Sequence, residues 1–349
     1  MGQQFRFLRT VPNGNNIHHG DTPMRLLKQL AWTSLCLLAT LASTQAAAQP
    51  YPSRPLKIVV PFAAGGGPDI ETRRLATKLA LALNGNVVVE NRVGAAGILA
   101  AEVVTQAPPD GYTLLAGSVS QVVQKILRPQ AQFDPLSSFI PVTQTSSSPT
   151  VLLVPADSPI QTAKELEAVI RSRPGQLNYG SGGIGTAAHL AGATFASQLK
   201  LDAVHVPYRG SVELMPALMG KQIQFAFPIA GTAVPQVKSG KARALAVSGA
   251  KRLASLPDVP TLKEIYNDEL MVQEAWGGLW VPAGTPADVV QQLFIATRKA
   301  MQDPELQTHY QSTGSSVEVS ESPAAFLAFM KAETGKWAKV IQIAGVKAD

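Results

Sequence analysis

Two glycine turns hold the residues best suited to chemistry. The first is Phe62-Ala63-Ala64-Gly65-Gly66-Gly67-Pro68-Asp69; the second is Gly180-Ser181-Gly182-Gly183-Ile184-Gly185-Thr186. Each follows an apolar, strand-like run and opens a stretch with helical spacing. A helix start exposes unpaired N–H groups and the positive end of the macrodipole, and glycine lets an anion approach the backbone. Asp69 and Thr186 have side chains that cap helices, so part of their value is local. Taken singly, either turn is equally well explained by tight packing of a helix on a strand. Two of them, one in each half of the chain, point to a ligand closed between lobes at the carboxyl ends of strands.

Other polar residues could serve the same gap. Ser118 and Ser120 follow the strand-like Tyr112-Thr113-Leu114-Leu115 and offer small hydroxyls. Tyr208 and Arg209 stand before the turn Gly210-Ser211, where a tyrosine suits the lip of a cleft and an arginine attracts carboxylates. A solvated arginine beside a packed tyrosine fits the same residues equally well. His189, near the second helix start, suits a capping or core role better than direct ligand contact, and His205 sits in an apolar strand pattern. With His309 they fit no metal-ligand spacing. Ser181 has Tyr179 and Gly183 two places either side, so it lies in no G-x-S-x-G elbow. The first turn lacks G-x-G-x-x-G, and G-x-x-x-x-G-K-[ST] occurs nowhere, so no nucleotide cofactor is expected. No catalytic residue and no metal site is assigned. Trp276 and Trp280 read as core or hinge packing.

The elements that must position these residues alternate. Strand patterns over 57–62, 87–90 and 112–116 are separated by helical patterns over 69–83 and 95–106. A second set follows, with strands over 151–154, 177–179, 203–206, 223–227 and 242–247. The spacing predicts an α/β protein with largely parallel sheets covered by helices on both faces. A lobe boundary is expected at the polar stretch 143–149, and a second crossing between 248 and 275. The organisation then reads as 1–48 upstream segment and leader, 49–150 first lobe, 151–255 second lobe, and 256–349 return to the first lobe.

Composition adds an address. From Met24 the chain has a basic start at Arg25 and Lys28, an apolar run over 30–41, and the small residues Ala46-Ala47-Ala48. The run is well short of the roughly 20 residues that span a bilayer, so it reads as a cleaved secretory signal. The polar residues 1–23 fit a mis-assigned start upstream of Met24. The single cysteine, Cys36, lies in the apolar run, so the mature protein is expected to have no thiol chemistry or disulfides. A formal net charge of +6 with no basic cluster gives nucleic-acid binding no support.

Several motifs occur in order: "YPSRPLKIVVPFAAGGGPD", "VVVENRVGAAGILAAEVV", "PPDGYTLLAGS", "LNYGSGGIGTAAHLAG", "VHVPYRGS", "LPDVPTLKE", "VPAGTP" and "KWAKVIQIAGVKA". Together they resemble the Bug family, the extracytoplasmic solute receptors of tripartite tricarboxylate transporters, over essentially all of 51–349. The resemblance implies a two-lobe periplasmic binding protein fold of type II, each lobe a mostly parallel sheet flanked by helices, with a hinge between. It implies a monomeric, non-catalytic receptor without cofactor, a small organic acid as ligand, and a membrane permease as partner. By the same resemblance, 62–69 and 181–186 hold carboxylates through backbone N–H groups, and Ser118, Thr150, His189, Tyr208 and Gly210 fall in the cleft. Where relatives often have Phe-Asp-Asn, this chain has Phe225-Ala226-Phe227, which removes an acid that would partner an ammonium group. An uncharged or aromatic remainder held against Phe62 and Phe227 is therefore expected. Two other readings remain open: an exported hydrolase using Ser118 or Ser181, and a ligand-sensing partner of a membrane sensor protein.

Overall fold

Leu56-Lys57-Ile58-Val59-Val60 is an apolar run interrupted by one lysine, and four of its five residues are buried in strand β1 (Leu56–Val60). The structure, a computed structural model, describes residues 51–348; the leader and the start at Met24 lie outside them. One sheet contains β1, β2 (Val87–Asn91), β3 (Thr113–Ser118), β4 (Phe139–Pro149), β10 (Glu274–Pro282) and β11 (Ser316–Val317). The other contains β5 (Val151–Pro155), β6 (Asn178–Ser181), β7 (Val204–Pro207), β8 (Phe225–Ala226) and β9 (Ala242–Val247).

Both sheets are mixed rather than mostly parallel. In the first, ordered β11-β4-β10-β3-β1-β2, only β2, β1 and β3 run parallel. In the second, ordered β7-β6-β8-β5-β9, parallel pairing is confined to β7, β6 and β8. Antiparallel pairing is found at the strands flanking the crossings, β4, β5, β9 and β10, and also where β11 joins β4 and β8 joins β5. Only Thr150 separates β4 from β5, and the chain returns from β9 to β10, which lies antiparallel to β4 with Glu274 opposite Pro149. A chain that leaves a sheet and re-enters beside its exit strand must run backwards along it.

The stretch 143–149 is not a linker. It is the second half of β4, held between β10 and β11, so its backbone groups are spent in the ladder. Its hydroxyl side chains then need a polar surface to face. Large apolar side chains fill the rest. Trp280, Trp337 and Phe326 are fully buried on one side of the first sheet, and Phe195, Phe225 and Phe227 interlock behind the second. The expected helix over 95–106 begins as a 3-10 turn, Ala95–Gly97, with Ala95 and Ala96 both at positive φ, and becomes α-helical only at Ile98.

Candidate functional site

A cavity of about 140 Å³ lies between the two sheets. Five helices of nine residues or more begin on its wall: Gly67–Leu83, Val119–Leu127, Ala187–Gln198, Ser211–Met219 and Ala230–Lys238. Pro68, Ser118, Val119, Thr186, Ala187, Gly210, Ser211 and Ile229, all at or beside those starts, line it. Each start contributes unpaired N–H groups and roughly +0.5 of an elementary charge, without any cationic side chain. No lysine, arginine or histidine is among the lining residues.

Of the residues expected from the sequence, Phe62, Ala63, Ser118, Ser120, Thr186 and Gly210 line the cavity. Ser118 caps its helix, its hydroxyl accepting from Ser120 N–H at 3.3 Å, while Gln121 accepts from Ser118 N–H at 2.8 Å. Thr186 caps the next, its hydroxyl accepting from His189 N–H at 3.4 Å.

The glycines of the first turn have a second reason to be glycine. A Cβ on Gly66 would lie 2.9 Å from Ser211 Oγ, and one on Gly67 would lie 3.0 Å from Thr232 Oγ1. Both partners come from helices that pack with the second sheet. Gly65, Gly66 and Gly67 therefore admit the opposite lobe as much as a ligand, and with Ala64 they stand just outside the lining. Asp69 is not the cap. It sits in the first turn of its helix and accepts from Gly65 N–H (2.8 Å), Asn91 Nδ2 (2.8 Å) and Arg73 Nε (3.0 Å). Burial would raise its carboxyl, but these three donors outweigh burial and hold it below the ordinary range.

The second turn is tied down from within and from across. Ser181 Oγ lies 2.7 Å from His205 Nε2 and accepts from Gly183 N–H at 3.1 Å. Gly185 N–H donates to His189 Nδ1 at 3.0 Å, and the His189 and His205 rings stack at 3.9 Å. Burial pushes His205 down to about 4, so this ring is neutral at ordinary pH. From the first lobe, the Gln124 amide donates to Ile184 O, and a Cβ on Gly185 (φ +79°) would collide with Gln124. Ser181 is completely buried, so the serine–histidine contact is a clamp closed to substrate. Gly180, Gly182 and Gly185 do carry the G-x-G-x-x-G spacing. Its Gly183 and Gly185 N–H groups, however, are turned onto Ser181 and His189 rather than outward.

The remaining expectations resolve elsewhere. Thr150 is buried at the crossing, its Oγ1 2.9 Å from Ser248 Oγ. Tyr208 packs against the apolar cluster behind the second sheet, and Arg209 is exposed outside the cavity. Phe227 is fully buried against Phe195 and Phe225, so it cannot hold a ligand's remainder as the sequence suggested. The cleft does not lack an acid either: Glu71 lines it. Sequence reasoning also missed Thr145, Ser146 and Ser148 on β4, Thr232, and Tyr310. The polar run in β4 was the signal for the hydroxyls, and the position of Glu71 one turn after Gly67 was the signal for the acid. Nothing in the sequence marks Tyr310.

Comparison with known proteins gives a consistent answer. The family described as "Tripartite tricarboxylate transporter family receptor" matches residues 72–346. The periplasmic binding protein BugD is 33% identical, with a TM-score of 0.81 over 86% of this chain and 100% of its own. An R. palustris protein solved with adipate is 28% identical, with a TM-score of 0.82 over 85% of this chain and 99% of its own. MatC from Rhodopseudomonas palustris, solved with bound malate, is 30% identical, with a TM-score of 0.78 over 83% of this chain and 100% of its own.

Proposed function

Because the chain belongs to the tripartite tricarboxylate transporter receptor family and has the two-lobe periplasmic binding protein fold, we propose that it captures a small carboxylate between its lobes. The observation that carries this reading is the convergence of five helix starts on one cavity that has no cationic side chain. Such a wall favours an anion through oriented N–H groups and hydroxyls, which cost little reorganisation because the fold holds them in place. The adipate and malate held by the two R. palustris neighbours support a carboxylate as the anion. The glycine turns supply the rest of the device, since they let the lobes meet closely enough to exclude water.

On this reading the protein is exported by a signal peptide cleaved after Ala48, works in the periplasm as a monomer, and hands its ligand to a membrane permease without chemical change. Burial of Ser181 favours the receptor over a hydrolase using that serine. The test is thermal melting of the mature protein against a panel of mono-, di- and aromatic carboxylates. A ligand at a hundred times its dissociation constant stabilises by about 2.7 kcal/mol. A panel in which no carboxylate moves the transition sinks the proposal.

A further inference from the structure

Two glutamates are buried among the described residues, and they differ in what satisfies them. Glu333 accepts from Trp276 Nε1 (3.0 Å) and Trp337 Nε1 (2.7 Å), and Lys336 Nζ lies 3.2 Å away. Glu71 is as well buried, at 9% exposed, yet among the described residues its one hydrogen bond comes from Ser315 Oγ to Oε1, at 3.1 Å. It lines the cavity, on the helix that starts at Gly67. Four residues of helix place it about 6 Å along the axis from the helix start.

The groups facing Glu71 bring no positive charge. Tyr310 from helix Pro304–Ser312 and Thr72 on its own helix are neutral; Gly231 approaches so closely that a Cβ there would lie 2.9 Å from Oε1. Thr232 Oγ1, on the same cavity wall, is buried with no partner. An ionised carboxylate held this way is costly until something cationic reaches it. Burial, outweighing the Ser315 hydrogen bond, lifts its carboxyl to about 7. The wall thus offers anion-favouring helix starts and, one turn along the first of those helices, a carboxylate. A second carboxylate on the ligand would meet a like charge there, whereas an ammonium group would meet its natural partner.

We propose that Glu71 reads the far end of the ligand, so that this receptor selects a carboxylate bearing a protonated amine over the corresponding dicarboxylate. The inference rests on the receptor reading above and narrows it.

The experiment is calorimetric titration of the mature protein at pH 8 with amino acids from 3-aminopropanoate to 6-aminohexanoate. Each is paired with the diacid in which a carboxylate replaces the amine; 5-aminopentanoate and adipate form one such pair. For the best-fitting length, the wild type should bind the amino acid at least tenfold tighter than the diacid. Glu71→Gln should erase or reverse that ratio. On the wild type alone, lowering the pH from 8 to 6 should weaken the amino acid and strengthen the diacid, as Glu71 takes up a proton. Tighter binding of diacids by the wild type, or a ratio indifferent to both Glu71→Gln and pH, overturns the inference and leaves the receptor standing. If no acid of either series binds while another carboxylate of the melting panel does, the inference falls and the receptor stands; if nothing in the panel binds either, both fall.

Discussion

The two glycine turns share one grammar, strand then glycines then helix, yet they do different work. The first turn opens on the cavity through Phe62 and Ala63, and its glycines face Ser211 and Thr232 of the opposite lobe. The second turn also reaches the cavity, through Gly182 and Thr186, but it turns its Gly183 and Gly185 N–H groups onto Ser181 and His189, stacks two histidines behind itself, and is gripped by Gln124 from across. One is a wall that the other lobe closes against; the other is a braced strut that keeps its own helix start aimed at the cavity. A glycine motif therefore reports that something comes close to the backbone, and only the neighbours tell whether it is a ligand or another part of the chain.

The largest effect should come from breaking the wall. Gly66→Val places a branched side chain against Ser211, so the lobes cannot meet. Ligand affinity is expected to fall at least about 100-fold, or about 2.7 kcal/mol, with the melting temperature of the unliganded protein little changed. Calorimetry and melting curves on the same sample check both halves, and retained affinity would remove the first turn from the closure.

Next in size is the acid that distinguishes the wall from the strut. The carboxyl of Glu71 is raised by burial from the ordinary 4.5 to about 7, so the folded state binds more protons than the unfolded state between those values. The contribution of Glu71 to the stability of the unliganded protein should then fall as the pH rises from about 5 to 8, by an amount of order 3 kcal/mol. Urea denaturation reads it as the difference between the wild-type and Glu71→Gln profiles, in which other titrating groups cancel. His205 works in the opposite sense: with its pKa lowered by burial from 6.5 to about 4, stability is lost as the pH falls through that window. A wild-type minus Glu71→Gln difference that does not fall between pH 5 and 8 would contradict the assignment of Glu71.

The strut should respond more gently. Gln124→Ala removes the amide that donates to Ile184 O across the lobes, worth about 1 kcal/mol or roughly fivefold in affinity. Ser181→Ala breaks the bond to His205 and should cost about 1–2 kcal/mol of stability with less than a threefold change in affinity. If Ser181→Ala abolished binding while leaving the melting curve intact, the second turn would belong to the ligand wall and the contrast between the turns would dissolve.

Much of this architecture could be read from the chain, for identifiable reasons. The alternation from Leu56 to Ser118 is local and strongly patterned, so β1, β2, β3 and the helices between them were legible. Thr186 and Ser118 announced themselves because hydroxyl caps act over three residues. The polar half of β4 looked like a linker because a strand whose side chains face a wet cavity has the composition of a loop. Phe227 looked like a ligand contact because position along the chain does not reveal which way a residue just past a two-residue strand points. Asp69 looked like a cap because capping and first-turn positions differ by only a few residues. Tyr310 becomes a neighbour of the cavity, and Glu71 gains its Ser315 partner, only after residues more than two hundred positions apart are packed together, which no local pattern records.

The central claim is that backbone N–H groups at converging helix starts, rather than cationic side chains, hold the carboxylate. A crystal structure of the protein with the small molecule that accompanies it out of the cell tests this most directly. The account predicts carboxylate oxygens about 2.7–3.2 Å from N–H groups at the starts of Gly67–Leu83 and Ala187–Gln198. A carboxylate paired instead with Arg209, outside the cavity, would contradict it.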